Sequence, residues 1–234
     1  LKPDFFCRDA STSNQFTIAG MHGHLSFSRF TNQTGRTSEW KLQVTQSLSV
    51  LGISGSLRKH SYNTGLLRAA RSLSPDGMEL SIFDIAPIPL FNADKLAQGE
   101  PVSVLEFKAR IAAADALLIA TPEYNHSIPG VLKNALDWAS RPRKLSPFRG
   151  KPVALVGAGG SSGTVYAQKH LHTIAEALGL LVLPAPSLHI ARAWEKFDPA
   201  GNLIDEHTRQ ELAGVLAGLA AWTLQQQPLE KTLT

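Results

Sequence analysis

The chain carries a single cysteine, Cys7, so it can close no internal disulfide and has no thiolate cluster for a metal centre. Redox chemistry, if it performs any, must be borrowed from a cofactor. Runs of about 18 or more apolar residues are also lacking, which excludes a hydrophobic helix of spanning length. No basic, apolar and small-residue succession marks a secretory signal. The expectation is a cytoplasmic protein with no membrane association. The net charge is +4 and the sequence pI near 9.3, but the basic residues are scattered and not interleaved with stacking aromatics, which argues against nucleic acid as a partner. The glycine, four residues, glycine, lysine spacing of a Walker loop is missing, and so is the GxGxxG dinucleotide fingerprint.

What is present is regular alternation. The 234 residues, 43% of them hydrophobic, suffice for one domain with a substantial core. From Ser47 onward the apolar runs SLSVLGI, MELSIFDI, ALLIAT, PVALVGA and LLVLPA are separated by segments of helical period. Leu66, Ala70 and Leu73 recur at i, i+4, i+7, and Val104, Phe107 and Ile111 at i, i+3, i+7. Leu171, Ile174, Ala175 and Leu178 repeat the stripe with Gly179 as its stop, and Leu212, Val215, Leu216 and Leu219 carry the last helix. In PGVLKNALDWAS, Pro129 suits the first helical position, with Val131, Leu132, Ala135, Leu136 and Ala139 as the buried face.

Five strands alternating with five helices predict an α/β fold, a three-layer αβα arrangement around a doubly wound five-stranded parallel sheet of flavodoxin-like order. Residues 47–227 form this domain, followed by a tail at 228–234. Residues 1–46 differ in kind, with eleven Ser or Thr, no strand-like alternation and no amphipathic helix. They are expected to be a dispensable, poorly ordered appendage: a leader, a read-through, a natural tail, or a segment with the Ser and Arg bias of a transit peptide.

Doubly wound sheets bind ligands at the carboxyl ends of their strands, beside the point where strand order reverses. The loops after strands one, three and four should therefore hold the chemistry, and these are SGSLRKHSYN, TPEYNHSIPG and GAGGSSG. In the first, Ser54, Gly55, Ser56, Arg58, Ser61 and Asn63 supply small donors and one fixed cation immediately before a helix whose free amides attract anions. This is a phosphate cradle. A second reading leaves Ser61 or Asn63 as a plain helix cap and Arg58 in solvent. In the second loop, Pro122 and Pro129 stiffen the chain, and Tyr124 offers a flat surface beside Asn125 and Ser127, suited to a planar heterocycle. Ordinary packing of Tyr124 and solvation of Glu123 is the competing account.

GSLRKHSYN, followed by PEYNHSIPGVLKNALDWASRP, resembles the NADPH-dependent FMN reductase family, which includes quinone, chromate and azo-dye reductases, and the likeness runs from Leu48 to Gln226. The resemblance implies a flavodoxin-like dimer or tetramer that binds FMN near a subunit interface. Ser54, Ser56, Arg58, Ser61 and Asn63 would surround the FMN phosphate. Pro122, Glu123, Tyr124 and Asn125 would line the isoalloxazine ring, with Gly159, Gly160 and Ser161 of the glycine-rich loop as a third wall. NADPH or NADH would give a hydride to FMN and leave. A small-molecule electron acceptor, such as a quinone, azo compound, metal oxyanion or free flavin, would then take its place. No protein acid or nucleophile is required, so no catalytic residue is assigned. A non-catalytic electron carrier or redox sensor on the same fold is the main alternative.

Other patterns compete for attention. Gly159, Ser161 and Gly163 fit the GxSxG elbow of a serine hydrolase, and Asp198 and His207 follow in the order a triad needs, but this leaves both longer motifs unexplained. His170 and His172 diverge on a helix, and His22 with His24 lies in the appendage, so neither pair is a metal site. His126 borders the substrate opening or faces solvent. The cations Arg141, Arg143, Lys144, Arg149 and Lys151 crowd one loop, either as a solvated face or, if Arg141, Arg143 or Lys144 faces the flavin opening, as a contact for the extra phosphate of NADPH.

Overall fold

Three strands buried on both faces organise the molecule, whose computed structural model describes residues 47–227 and, before them, the strands at 15–20, 23–31 and 37–44. The central strands are β4 (Leu48–Ser54), β6 (Ala116–Ala120) and β7 (Pro152–Ala158). Continuous aliphatic runs of this kind suit strands covered on both sides. Together with β5 (Met78–Phe83), β8 (Leu181–Val182) and β9 (Leu188–Ile190) they form a parallel sheet in the order β5-β4-β6-β7-β8, with β9 also on β7. The expected flavodoxin-like order is present. The fifth run differs from expectation, because the chain leaves the sheet between Val182 and Leu188 and returns as a second short strand.

Side-chain alternation sorts the core into two halves. Val50, Leu118, Ala154 and Val156 face α1 (Tyr62–Leu73) and α6 (Glu206–Gln226). Leu51, Ile53, Leu117, Ile119, Val153 and Leu155 face α3 (Val102–Ala113), α4 (Gly130–Ala139) and α5 (Val165–Leu178). Each buried aliphatic side chain contributes roughly 1.5–3 kcal/mol. The expected stripes do the burying, including Val104, Phe107 and Ile111 on α3 and Leu212, Val215, Leu216 and Leu219 on α6. Gly179 ends α5 at φ 75°, in the left-handed region. A short helix that sequence periodicity did not indicate, α2 (Ala93–Gln98), precedes α3.

The upstream segment departs from expectation. Its backbone forms an antiparallel meander of β1 (Gln15–Gly20), β2 (Gly23–Thr31) and β3 (Thr37–Val44). Period two is in fact written in LSFSRF, where Leu25 and Phe27 alternate with Ser26 and Ser28, and the Ser and Thr content obscured it. The rest of residues 1–46 and the tail at 228–234 lie outside the described residues. Among the described residues, no helix is long and apolar enough to cross a membrane.

The longest helix, α6, is capped by Asp205, whose Oδ1 accepts from Thr208 N at 2.9 Å and Thr208 Oγ1 at 2.5 Å while Lys196 Nζ lies 3.0 Å from Oδ2. The Thr208 bonds, more than Lys196, lower the Asp205 carboxyl from 3.8 to about 2. Because the folded value is the lower one, the cap's contribution is complete above 3.8 and lost as pH falls toward about 2. Asp205→Asn is therefore expected to lose stability at neutral pH and to show a shallower acid-induced decline than the native chain over that window. Urea unfolding midpoints across pH will check this.

Candidate functional site

The loops after β4, β6 and β7 meet at the carboxyl edge of the sheet. In the first, Ser54 Oγ accepts from Thr64 Oγ1 at 2.9 Å and from Ser56 N at 3.3 Å, and Ser56 Oγ accepts from Arg58 N at 3.4 Å. Thr64, which sequence reasoning passed over, thus joins the hydroxyl cluster. These residues and the end of β5 enclose a cavity of about 160 Å³ lined by Ser54, Ser56, Thr64 and Asp84 among others. Ser61 is buried and caps α1, its Oγ accepting from Thr64 N at 3.3 Å. Among the described residues the amides of Tyr62 and Asn63, the first two of the helix, have no acceptor. They are the donors that an anion at this terminus would use. Arg58 is exposed, its guanidinium 5.0 Å from the centroid of Tyr62, an arrangement that holds the cation without neutralising it.

Asn63 acts across the site. Its Nδ2 donates to Ala158 O at 2.9 Å and its Oδ1 accepts from Ala158 N at 3.0 Å, so a buried amide completes the end of β7 as a neighbouring strand would. Its side chain is committed to the scaffold, leaving its backbone amide for a ligand.

The loop after β6 turns back on itself between Tyr124 and Ser127, which exchange backbone hydrogen bonds of 2.9 and 3.0 Å. Asn125 at φ 51° and His126 at φ 59° occupy the two central positions, the geometry of a type I′ turn. Pro122 is buried, while Tyr124, 53% exposed, presents its ring to solvent. Glu123 is not solvated. Its Oε2 accepts from the Tyr166 and Ala167 amides at 2.8 and 3.0 Å, and Ser162 Oγ donates to its Oε1 at 3.3 Å, so it caps α5 from another loop. His126 Nδ1 lies 3.5 Å from Glu123 Oε1, and its ring meets Tyr166 edge-on at 4.7 Å. His170 Nδ1 is 3.0 Å from Ser127 Oγ. Burial is the main cause that lowers the pKa of His189, on the neighbouring β9, and Glu123 is a minor opposing one.

In the loop after β7, Gly160 and Gly163 bracket a turn whose tip, Ser161 and Ser162, is exposed. Gly159 admits no side chain, because a Cβ would run into the Gly163 carbonyl, whereas one on Gly160 would meet nothing within 4 Å. The backbone at Gly160 is thus open to close approach. Residues 191–203 buttress this loop and the first: Arg192 N and Ala193 N donate to Gly160 O and Gly159 O at 2.8 and 3.0 Å, and Phe197 packs on Tyr62 with centroids 4.9 Å apart. The turn signal in FDPAGNL was legible, but its pairing with loops far away in sequence was not.

Two readings are overturned. Ser161 makes no hydrogen bond to Asp198 or His207 among the described residues. Asp198 is bound to Asn202 N and Nδ2 at 2.7 and 3.0 Å, and His207 Nε2 lies 3.7 Å from Glu211. No triad forms. The basic loop does not face the site either, since α4 carries the chain from the β6 loop back to the amino ends of the strands, ten residues or about 15 Å away. There Lys151 donates to the carbonyls of Ala112 and Ala114 at the end of α3. Burial lowers its pKa, with Asp115 opposing. Among the described residues no group of three His, Cys, Asp or Glu side chains converges as a metal site would require.

A sequence model described as NADPH-dependent FMN reductase matches residues 48–195. The chain is 47% identical over 180 residues to an NAD(P)H-dependent FMN reductase of Pseudomonas aeruginosa, covering 76% of this chain and 97% of that protein. It is 43% identical over 186 residues to an NADPH:quinone oxidoreductase of Arabidopsis thaliana, covering 77% and 94%. Among solved structures, the flavoenzyme NAD(P)H:(acceptor) oxidoreductase FerB of Paracoccus denitrificans superposes with a TM-score of 0.68 at 35% identity, over 76% of this chain and 98% of that one.

Replacing Asn63 with Ala is expected to destabilise the protein by about 2–6 kcal/mol, because it orphans one buried donor and one buried acceptor on Ala158 at roughly 1–3 kcal/mol each. A lower urea midpoint at unchanged slope is the expected readout. Asn63→Asp must either bury a carboxylate against the Ala158 carbonyl or take up a proton to donate to it, so its loss of stability should be smaller at acidic than at neutral pH.

Proposed function

The chain belongs to the NADPH-dependent FMN reductase family, and we propose that it is an FMN-dependent NAD(P)H oxidoreductase whose flavin lies across the loops after β4, β6 and β7. The observation that carries this placement is the division of the site into two chemically different ends. At one end the α1 amides, the hydroxyls of Ser54, Ser56 and Thr64, and Arg58 suit a phosphate. At the other, the exposed ring of Tyr124, the rigid Pro122–Asn125 segment and the backbone of Gly159, Gly160 and Ser161 suit a flat heterocycle. These residues fit FMN.

When bound, FMN supplies the hydride chemistry, taking two electrons from a nicotinamide and passing them to an acceptor. The protein positions and shields. Ser54, Ser56 and Arg58 anchor the phosphate, Ser61 and Asn63 hold the amides of α1 toward it, and Glu123 fixes the turn at Tyr124–Ser127 against α5. Acceptors are small molecules, among them quinones, azo compounds, metal oxyanions and free flavin. Exposed Tyr124, Val165 and Tyr166 around the site support a homodimer or homotetramer in which a second subunit covers them. We place the enzyme in the cytoplasm and the flavin-binding unit within residues 47–227.

The purified protein is expected to show flavin absorption and to oxidise NADPH in the presence of a quinone with parallel-line, ping-pong kinetics. An electron carrier would bind FMN yet turn over poorly with nicotinamide, and a protein without bound or bindable flavin would sink the assignment. Arg58→Ala removes one charge-assisted hydrogen bond and should weaken FMN binding by about 10- to 100-fold. Equilibrium dialysis of the flavin against this variant measures the change, and unaltered affinity would remove Arg58 from the phosphate site.

A further inference from the structure

Among the described residues, three non-glycine residues adopt positive φ: Asn125 (51°), His126 (59°) and Arg192 (46°). Left-handed backbone is costly for residues other than glycine and, less so, asparagine, and it persists where the surroundings impose it, often at functional sites. Asn125 and His126 belong to the loop after β6. Arg192 belongs to none of the three loops, but its amide is bonded to Gly160 O. All three strained positions therefore border one site, and Arg192 has no part in the phosphate or ring contacts assigned above.

Its surroundings suggest its use. Ala193 is fully buried and donates to Gly159 O, which pins the backbone while Arg192 and Trp194 on either side stay in solvent. Trp194 is 56% exposed, and the Arg192 side chain is 63% exposed with, among the described residues, the Glu195 carboxylate 3.5 Å from its Nε. A large aromatic side chain left open two residues along the chain from a solvent-facing guanidinium is suited to a purine carrying a phosphate. NADPH and NADH differ by one phosphate, on the ribose of their adenosine half. With the Arg141–Lys144 loop at the far pole of the sheet, recognition of that phosphate falls to another cation.

We propose that Arg192 and Trp194 form the subsite for the adenosine end of the dinucleotide, Trp194 stacking on the purine and Arg192 binding the 2′-phosphate, so that this pair sets the preference for NADPH over NADH. The inference rests on the oxidoreductase reading above. The test is titration of the flavin-loaded protein with adenosine 2′,5′-bisphosphate and with adenosine 5′-monophosphate, followed by tryptophan fluorescence, with Trp194→Phe identifying the responding residue. The native protein should bind the bisphosphate more tightly. Arg192→Gly, which suits the positive φ and so preserves the fold, should weaken bisphosphate binding by about 10- to 100-fold and leave the monophosphate unchanged. Arg192→Lys should retain part of the preference, and Trp194→Ala should weaken both ligands. The ratio of kcat/KM for NADPH to that for NADH should fall in Arg192→Gly by a similar factor at unaltered FMN affinity. Equal binding of the two ligands by the native protein, or a preference that survives Arg192→Gly, overturns the subsite. Should the native protein bind FMN and oxidise NADPH regardless, that failure leaves the oxidoreductase reading standing; a protein inert toward both flavin and nicotinamide takes the two readings down together.

Discussion

Covering β4, β6 and β7 on both faces leaves the protein few places to put polar chemistry. Every residue of β6 and β7 is buried, and only Ser49 of β4 is exposed. A polar side chain within these strands would need a partner that neither aliphatic layer offers. Chemistry is thereby displaced to the ends of the strands, and at the carboxyl end the chain turns from strand to helix three times within one small area. The fold positions the site by exclusion as much as by construction.

Loops displaced in this way must still be held to a common geometry, and two polar side chains do this. Asn63 carries the first loop to the end of β7, and Glu123 carries the loop after β6 to the first amides of α5. Close packing adds a third restraint: a side chain at Gly157 would strike the Thr121 carbonyl and the Thr164 hydroxyl. The three loops are thereby tied to one another by hydrogen bonds and close contact. A rigid cradle of this kind loses little conformational freedom when a cofactor binds.

The sheet order and all five principal helices could be read from the sequence, because aliphatic runs and helical stripes are local patterns with a direct physical cause. The loops could be located for the same reason. Their internal division of labour was less legible. Asn63 and Glu123 read as ligand contacts, yet their side chains bind backbone 95 and 43 residues away, respectively. Nothing in a local pattern shows such partners. Arg192 and Trp194 went unnoticed because no motif surrounds them, and only their backbone geometry sets them apart. The meander before Ser47 was missed for the opposite reason, its alternation being local but set among small hydroxyl residues that weaken the contrast.

The break in the last strand also bears on how copies of the chain can meet. Between β8 and β9 lies LPAPS, whose Pro184 and Pro186 can donate no hydrogen bond, and the strands on either side are two and three residues long. An incoming strand would find no continuous ladder there to extend, a common protection against edge-to-edge aggregation. This border of the sheet is closed to pairing by backbone, so a neighbour approaching it must make contact through side chains instead.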